Sequence, residues 1–255
     1  MDKFNIIMFT GGGDLCEIVY DFLEKNYAVQ AVIIDSPVPK KTMIKRRIKR
    51  LGMAKVFSQL LFMKGVVPIL NWESRNRRKK LLAPFTQSSI FKSSKIHFPD
   101  SINSSETIDI VNKFQPDLIV VCGTRLISKK IIDSIRVPII NMHVGITPKY
   151  RGVHGGYWAL CNNDKENCGV TVHLIDPGID TGGVLSQKTI EPTRSDNYST
   201  YPILQAIKGV ECLKESINYI KEGKVNTINN NLPSKLYYHP TIWQYLYYRF
   251  VKGIK

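Results

Sequence analysis

Apolar residues come in short blocks whose spacing switches between two periods. Residues 4–9 form an almost unbroken apolar run closed by Thr10-Gly11-Gly12-Gly13, the pattern of a buried strand ending in a turn. Asp14 stands where a helix cap is expected, and Leu15, Val19, Phe22 and Leu23 recur on one face as far as about Lys25. A second apolar run fills 28–34. Strand, glycine turn, helix and strand make a βαβ opening, which implies a parallel sheet. Runs at 117–121 and 137–140 predict two more strands, with helices over 106–114 and 128–135 beside them.

Between 36 and 92 lies an insertion of different character. Ile44, Ile48, Leu51, Leu60 and Met63 fall near helical spacing, and 40–55 holds eight basic residues and no acid, which predicts one or two basic amphipathic helices. Such a segment suits contact with a membrane surface, a flap over an anion, or a surface helix packing its stripe on the domain, the last being the default. Arg75-Asn76-Arg77-Arg78-Lys79-Lys80 reads as a solvated helix face.

After Asn141 we expect a short helix within 152–162 and strands over 170–175 and 184–190. A long helix over 200–222 should bury Ile203, Ile207, Val210, Leu213, Ile217 and Ile220. The tail at 236–250 is dense in rings, among them Tyr237, Tyr238, Trp243, Tyr245, Tyr247 and Phe250. Rings of this kind stack on a base, lie on a membrane, form a homodimer surface or dock on their own domain. The expected organisation is a main domain over 1–195 that contains the insertion, with helix and tail over 196–255 packing on it or extending it.

Composition narrows the class. With 255 residues and 43% hydrophobic content the chain has a core and is not disordered. A formal charge of +15 and a sequence pI near 9.6 favour anionic partners such as nucleotides, phosphates or an anionic surface; the plainer reading is a self-repelling surface. Cys16, Cys122, Cys161, Cys168 and Cys212 show neither CxxC nor metal spacing, which suits a reduced, cytoplasmic chain. The apolar stretch after Met1-Asp2-Lys3 is too short for a signal peptide, and no run is expected to reach the length of a membrane span.

The candidate chemistry begins at Asn141, which closes an apolar strand; ligands of open α/β sheets bind beyond such strand ends. Asn141 and His143 project to the same side, and Asp180 follows in Ile179-Asp180-Thr181-Gly182-Gly183. An amide that donates to an oxyanion, an imidazole that moves a proton and a carboxylate that orients it are a kit for acyl transfer. Singly, each is as readily a turn asparagine, a packed histidine or a loop aspartate. What singles them out is order: Asn141-x-His143, Pro148-x-Tyr150-Arg151-Gly152, Gly169-Val170-Thr171, Asp180-Thr181-Gly182. Gly12 and Gly13 at the first turn can bring N–H groups to a phosphate, although the spacing is neither GxGxxG nor a P-loop.

That ordered set resembles the folate-dependent formyltransferase family, densely over 117–185 and by strand pattern back to Phe4. The resemblance implies an α/β fold, a Rossmann-like mostly parallel sheet with helices on both faces, plus a short helical and aromatic tail. It implies N10-formyl-tetrahydrofolate as co-substrate and no metal. It implies that Asn141 holds the formyl oxygen and stabilises the oxyanion, that His143 shares that duty or shuttles the proton, and that Asp180 orients His143 and helps take the proton from the attacking amine. Cys122, Gly123, Thr124, Arg125 and Leu126 match the loop that wraps the pteridine ring, largely through backbone groups, and Asp176 matches the second cofactor loop. Arg151, Gly152 and His154 join Gly12 and Gly13 as acceptor-binding candidates, while His173 reads as a packed strand residue. The family pattern after the asparagine, His-x-Ser-Leu-Leu-Pro, becomes His143-Val144-Gly145-Ile146-Thr147-Pro148 here, which leaves the shape of the acceptor pocket open.

The family's tRNA branch carries a sizeable C-terminal domain, whereas about 70 residues follow Leu185 here; its ribonucleotide branch lacks the basic insertion and aromatic tail. By elimination the expected acceptor is the amine of a nucleotide-activated amino sugar or sugar acid for a surface polysaccharide such as lipopolysaccharide, with no nucleic-acid partner. Formylation of methionyl-tRNA or glycinamide ribonucleotide, and a non-catalytic membrane-peripheral module on the same fold, are the alternatives.

Overall fold

The computed structural model describes residues 4–86 and 88–255; Met1-Asp2-Lys3, on which the reading of the N-terminus partly rests, lie outside them. The opening unit forms as its pattern predicts: β1 (Asn5–Thr10), α1 (Asp14–Asn26) and β2 (Ala28–Ile34), with β2 parallel to β1. The insertion folds into α2 (Lys40–Leu51), α3 (Met53–Leu61), α4 (Val67–Glu73) and α5 (Arg75–Leu82). One π turn, Phe62–Val66, joins α3 to α4. It precedes Pro68, whose missing N–H and bulky ring disrupt regular α-helix one turn back.

The chain continues through β3 (Ile96–His97), α6 (Ser105–Phe114), β4 (Leu118–Cys122), α7 (Lys129–Ser134) and β5 (Ile139–His143). Then come β6 (Arg151–Gly152), α8 (Gly155–Cys161), β7 (Gly169–Leu174) and β8 (Val184–Thr189). Last are α9 (Tyr201–Lys221), β9 (Leu236–Tyr237) and α10 (Ile242–Val251).

The main sheet has the order β3-β2-β1-β4-β5-β7-β8, parallel through β5 and antiparallel at β7 and β8. The chain winds outward from β1 to β2 and returns as β4 on the other side of β1. The direction of winding therefore reverses between β1 and β4, and a crevice opens at their carboxyl ends. Continuous apolar strands mean burial on both faces. Ile6 and Met8 pack with Val19 and Leu23 of α1 and Leu213 of α9, while Ile7 and Phe9 pack on the opposite face with Val111 of α6 and Ile131 of α7.

Several expectations need correction. Asp14 does not cap α1; Gly13 holds that position, and the Asp14 carboxylate pairs with Arg78 instead. The strand expected over 137–140 instead covers Ile139–His143: its pairing with β4 ends at Asn141, and β7, paired with Ile140–His143, carries it two residues further. On α9, Ile203, Leu213 and Ile217 are buried, but Ile207, Val210 and Ile220 only partly. Gly209 shares the contact line: a Cβ there would stand 2.4 Å from the Met142 sulfur. The basic face of α5 is not simply solvated, since Arg77 grips the buried Asp196 carboxylate with two hydrogen bonds of 2.9 and 3.1 Å.

The tail docks on its own fold, yet incompletely. Tyr237 stacks on Tyr150 and Trp158, and Tyr245 packs on Phe62 of the π turn, centroid separations being 5.3, 5.3 and 5.0 Å. Trp243, Tyr247 and Phe250 stay exposed. Met53–Glu73, although interrupted by polar residues that hid it as a run, is one helical stretch long and apolar enough to cross a membrane by length and composition alone. Its inner side, with Val56, Gln59, Phe62 and Leu70, is buried in the fold.

Candidate active site

The site is assembled by strand register. β5 carries Asn141 and His143, and the antiparallel β7 sets His173 opposite Asn141 and Thr171 opposite His143. The turn after β7 brings Asp180 back into the same space. Its Oδ2 lies 3.5 Å from His143 Nδ1, and its Oδ1 lies 3.7 Å from His173 Nε2. Asn141 Nδ2 is 3.1 Å from His173 Nε2. The three residues expected to act together are together, and a fourth, His173, stands among them although the sequence reading gave it only a packing role. The pairing that puts it there comes from the β5–β7 register, which no local pattern encodes.

The hydrogen-bond partners assign the tautomers. His173 Nδ1 lies 2.7 Å from the Leu174 carbonyl and so carries a proton, leaving Nε2 to accept from the Asn141 amide. His143 Nε2 lies 2.8 Å from the Tyr150 carbonyl and donates to it, so Nδ1 presents its lone pair toward Asp180. Burial lowers the His143 pKa against the opposing pull of Asp180 and the Tyr150 carbonyl. Burial would raise the Asp180 carboxyl, but the charge of His143, the Gly152 N–H and the neighbouring His173 ring outweigh it and hold the group at about 2. At neutral pH the resting pair is a neutral imidazole beside a carboxylate. Such a pair accepts a proton readily, because the protonated form finds its counter-charge already in place.

Four further residues hold this geometry. Asp180 sits in the left-handed region at φ 51°, and the Gly152 N–H donates to its Oδ2 at 2.8 Å. Asp176 Oδ1 accepts from Gly178 N and Thr181 Oγ1 at 3.0 and 2.7 Å, so its side chain builds the turn that presents Asp180. Arg151 donates to the Ile179 carbonyl at 3.0 Å. Gly145, where the family pattern has serine, is required by crowding here: a Cβ would lie 2.3 Å from the Tyr150 carbonyl oxygen and 2.7 Å from His143 Nε2. The glycine lets those two groups bond.

The loop after β4 forms one wall. Cys122 is buried, and its carbonyl accepts from Gly11 N, which binds this loop to the first glycine turn. The backbones meet so closely that a Cβ on Gly11 would stand 2.2 Å from the Gly123 oxygen. Arg125 turns its guanidinium away, onto Asp35 at 2.8 Å and the Ser36 carbonyl. What faces the cleft is therefore backbone at Gly123 and Thr124 with apolar surface at Leu126 and Ile175, which fits a flat hydrogen-bonding heterocycle. Across the site, Gly12 and Gly13 have φ of 80° and 95° at the start of α1, where the Asp14–Arg78 pair also lies. His154 lines the cleft with its ring stacked on Tyr198 at 4.0 Å, and burial pushes its pKa down to about 3.

Asn141, His143, His173 and Asp180, the loop over 122–126, Gly12 and Gly13 line one cleft of about 820 Å³ together with Gly152, His154 and Asp176, whereas Arg151, expected to touch the acceptor, does not line it. Its remaining wall comes from the insertion, through Met63, Val67 and Arg78, and from the tail, through Tyr237, Tyr238 and His239. Among the described residues no group of three or more His, Cys, Asp or Glu side chains is placed to hold a metal ion.

Comparison with known proteins agrees with this architecture. The family model described as formyl transferase matches residues 4–211. A methionyl-tRNA formyltransferase of Caldanaerobacter subterraneus is 31% identical over 156 residues, 60% of this chain and 50% of that protein. One from Finegoldia magna is 43% identical over 94 residues, 36% of this chain and 30% of that protein. The chain thus spans half or less of the length of these two relatives. Among solved structures, a 4-N formyltransferase from Francisella tularensis aligns at TM-score 0.56 and 18% identity, over 91% of this chain and 75% of that one. A phosphoribosylglycinamide formyltransferase from Anaplasma phagocytophilum aligns at 0.57 and 13%, over 93% and 100%. At those identities the structures speak for the fold alone. The match over 4–211, the fold and the register-built site converge, and the chain belongs to the formyl transferase family.

Proposed function

We propose that this chain transfers a formyl group from N10-formyl-tetrahydrofolate to the amine of a nucleotide-activated amino sugar or sugar acid. The observation that carries the chemistry is the neutral His143 imidazole with its free Nδ1 lone pair 3.5 Å from the Asp180 carboxylate, beside the Asn141 amide. When bound, the folate supplies an activated formyl carbonyl. One Asn141 N–H is held by His173, which fixes the amide plane and leaves the second to donate to a carbonyl oxygen gaining negative charge. His143 Nδ1 takes the proton that the attacking amine loses, Asp180 stabilises the imidazolium, and the proton returns to the departing nitrogen.

The acceptor reading rests on the wall opposite this machinery. Tyr237, Tyr238 and Tyr198 line that wall with aromatic surface for a base, although Tyr150 and Trp158, Arg50 and His154 already engage their rings, while Arg78 and the Gly12–Gly13 backbone offer charge and N–H groups to a diphosphate. Asp14 at the same helix start works against an anion there, so Arg78 must answer for both. A second reading, formylation of methionyl-tRNA, is favoured by the 31% and 43% identities to enzymes of that name. Turnover with formyl-tetrahydrofolate and each acceptor class separates them: release of tetrahydrofolate with nucleotide-linked amino sugars supports the first reading. Turnover only with methionyl-tRNA would replace it with the second.

A further inference from the structure

The outer faces of the insertion and tail have no role in the cleft, and their chemistry is unusual. From Ser36 to Trp72 the chain holds nine basic residues and no acid. Seven of the nine lie on α2, a helix of 12 residues with none buried. Helices of that length are marginal in water without packing, and like charges on adjacent turns repel. Among the described residues no carboxylate forms an ion pair with any basic residue of α2; Arg47 bonds the Gln59 amide at 2.7 Å and Arg50 lies over the Tyr238 ring at 5.2 Å. Its positive field faces outward, unanswered.

Beside α2 runs the α3–π turn–α4 rod, about 30 Å long at 1.5 Å per residue. Its inner side is fixed to the body, since Gln59 donates to the His239 carbonyl at 2.6 Å and Phe62 packs on Tyr198 and Tyr245. Its outer side carries Met53, Phe57, Leu61, Ile69 and Trp72, each between 44% and 73% exposed. The neighbouring α10 is held to the rod through Tyr245 on Phe62 and Arg249 on Glu73 at 3.5 Å. It presents a second apolar row, Trp243, Tyr247, Phe250 and Val251, between 52% and 77% exposed. Isolated exposed apolar residues mean nothing, but two helical rows of large ones, rimmed by uncompensated lysines and arginines, need a partner that is both apolar and anionic.

We propose that α2, the rod and α10 form a docking face for an anionic lipid bilayer, on which the protein lies with the two apolar rows sunk to headgroup depth and the basic helix against the lipid phosphates. The rod lies in the interface and does not cross it, because its inner side is part of the cleft wall: Met63 and Val67 face the site. Charge complementarity selects the bilayer over a second copy of the chain, which would set a second helix with seven basic residues against the first.

The test uses the full chain and unilamellar vesicles of phosphatidylglycerol or of phosphatidylcholine alone. Sedimentation should show binding to the first and not the second. Tryptophan emission should shift to the blue on binding, since Trp72 and Trp243 are exposed while Trp158 is already buried. The quadruple variant Lys41→Gln, Lys45→Gln, Arg46→Gln, Lys49→Gln leaves Arg47 and Arg50, and with them the cleft wall, untouched. At about fivefold per basic residue near an anionic surface, it should bind phosphatidylglycerol several-hundredfold more weakly. A second variant, Phe57→Ser with Phe250→Ser, keeps both exposed tryptophans and should keep the salt-sensitive adsorption while losing most of the spectral shift. Failure of the wild type to bind phosphatidylglycerol overturns the proposal, as does equal binding by the quadruple variant or adsorption without a shift. A vesicle-free dimer that dissociates in the second variant, with no vesicle binding, would assign the face to self-association instead.

Discussion

Replacing Asp180 by asparagine tests the electrostatics of the site with almost no change in volume. The amide can still accept from the Gly152 N–H, so the turn should survive. What disappears is a charge 3.5 Å from His143 Nδ1. At an effective dielectric constant near 20, that separation corresponds to ~5 kcal/mol of attraction for a fully formed imidazolium. Charge effects realised at such range amount to about 1–3 pKa units, or ~1.4–4 kcal/mol. Turnover should therefore fall by about 10- to 1000-fold while KM for the folate changes little. The pH profile supplies the sign. Burial already lowers His143, and the carboxylate pulls its pKa back up; losing the carboxylate should move the acid limb of kcat to still lower pH. Stability follows from the same shift. Asp180 titrates at about 2, below its ordinary 3.8, so it stabilises the fold by about 2 kcal/mol above pH 4, an effect lost as pH falls through 2. The variant should lose that increment at pH 7 and converge on the wild type in acid. Turnover within twofold of wild type, or an acid limb that moves upward, would refute the proton-acceptor role of His143.

Three further outcomes are expected. His173→Leu should lower kcat about tenfold or more with KM unchanged, and His173→Gln should recover part of the loss through an oxygen that accepts from Asn141; equal loss in both would make His173 a packing residue after all. Gly145→Ala should cut activity about 100-fold with a modest fall in Tm, because its Cβ displaces the Tyr150 carbonyl from His143; an active variant would show that the loop has room. Arg77→Ala strands the buried Asp196 carboxylate with only its Thr193 bonds, so stability should fall by about 3 kcal/mol, on the order of 10 °C in Tm. A thermal scan showing no change would mean that α5 is not held by this pair.

What the sequence disclosed and what it withheld divide along local and non-local lines. β2 appears at the bounds its apolar run predicts, and β1, β4 and α1 within a residue or two, because uninterrupted or one-faced burial writes its period directly into the chain. Asn141, His143 and Asp180 are brought together as expected from their motifs. His173 is the packed strand residue its pattern suggests, but its hydrogen bond to Asn141 was not legible, because that partner lies 32 residues away and only register decides it. Arg125 lies on the cleft-lining loop after β4, yet its side chain answers to Asp35, 90 residues earlier. Asp176 likewise lines the cleft while its carboxylate ties the Asp180 turn. The insertion shows the limit most clearly. Its charge was legible, but the two apolar rows it shares with the tail exist only once α10 has docked beside the rod.

The central claim is the identity of the transfer, and one measurement bears on it most directly. The purified chain is mixed with N10-formyl-tetrahydrofolate and, in separate reactions, a panel of nucleotide-linked amino sugars, glycinamide ribonucleotide and methionyl-tRNA, and tetrahydrofolate release is followed alongside the mass of each acceptor. The account predicts a gain of one formyl group on a nucleotide-linked amino sugar, abolished in Asp180→Asn, and no gain on the other two. Efficient formylation of methionyl-tRNA or of the ribonucleotide, with every sugar left unmodified, would contradict it.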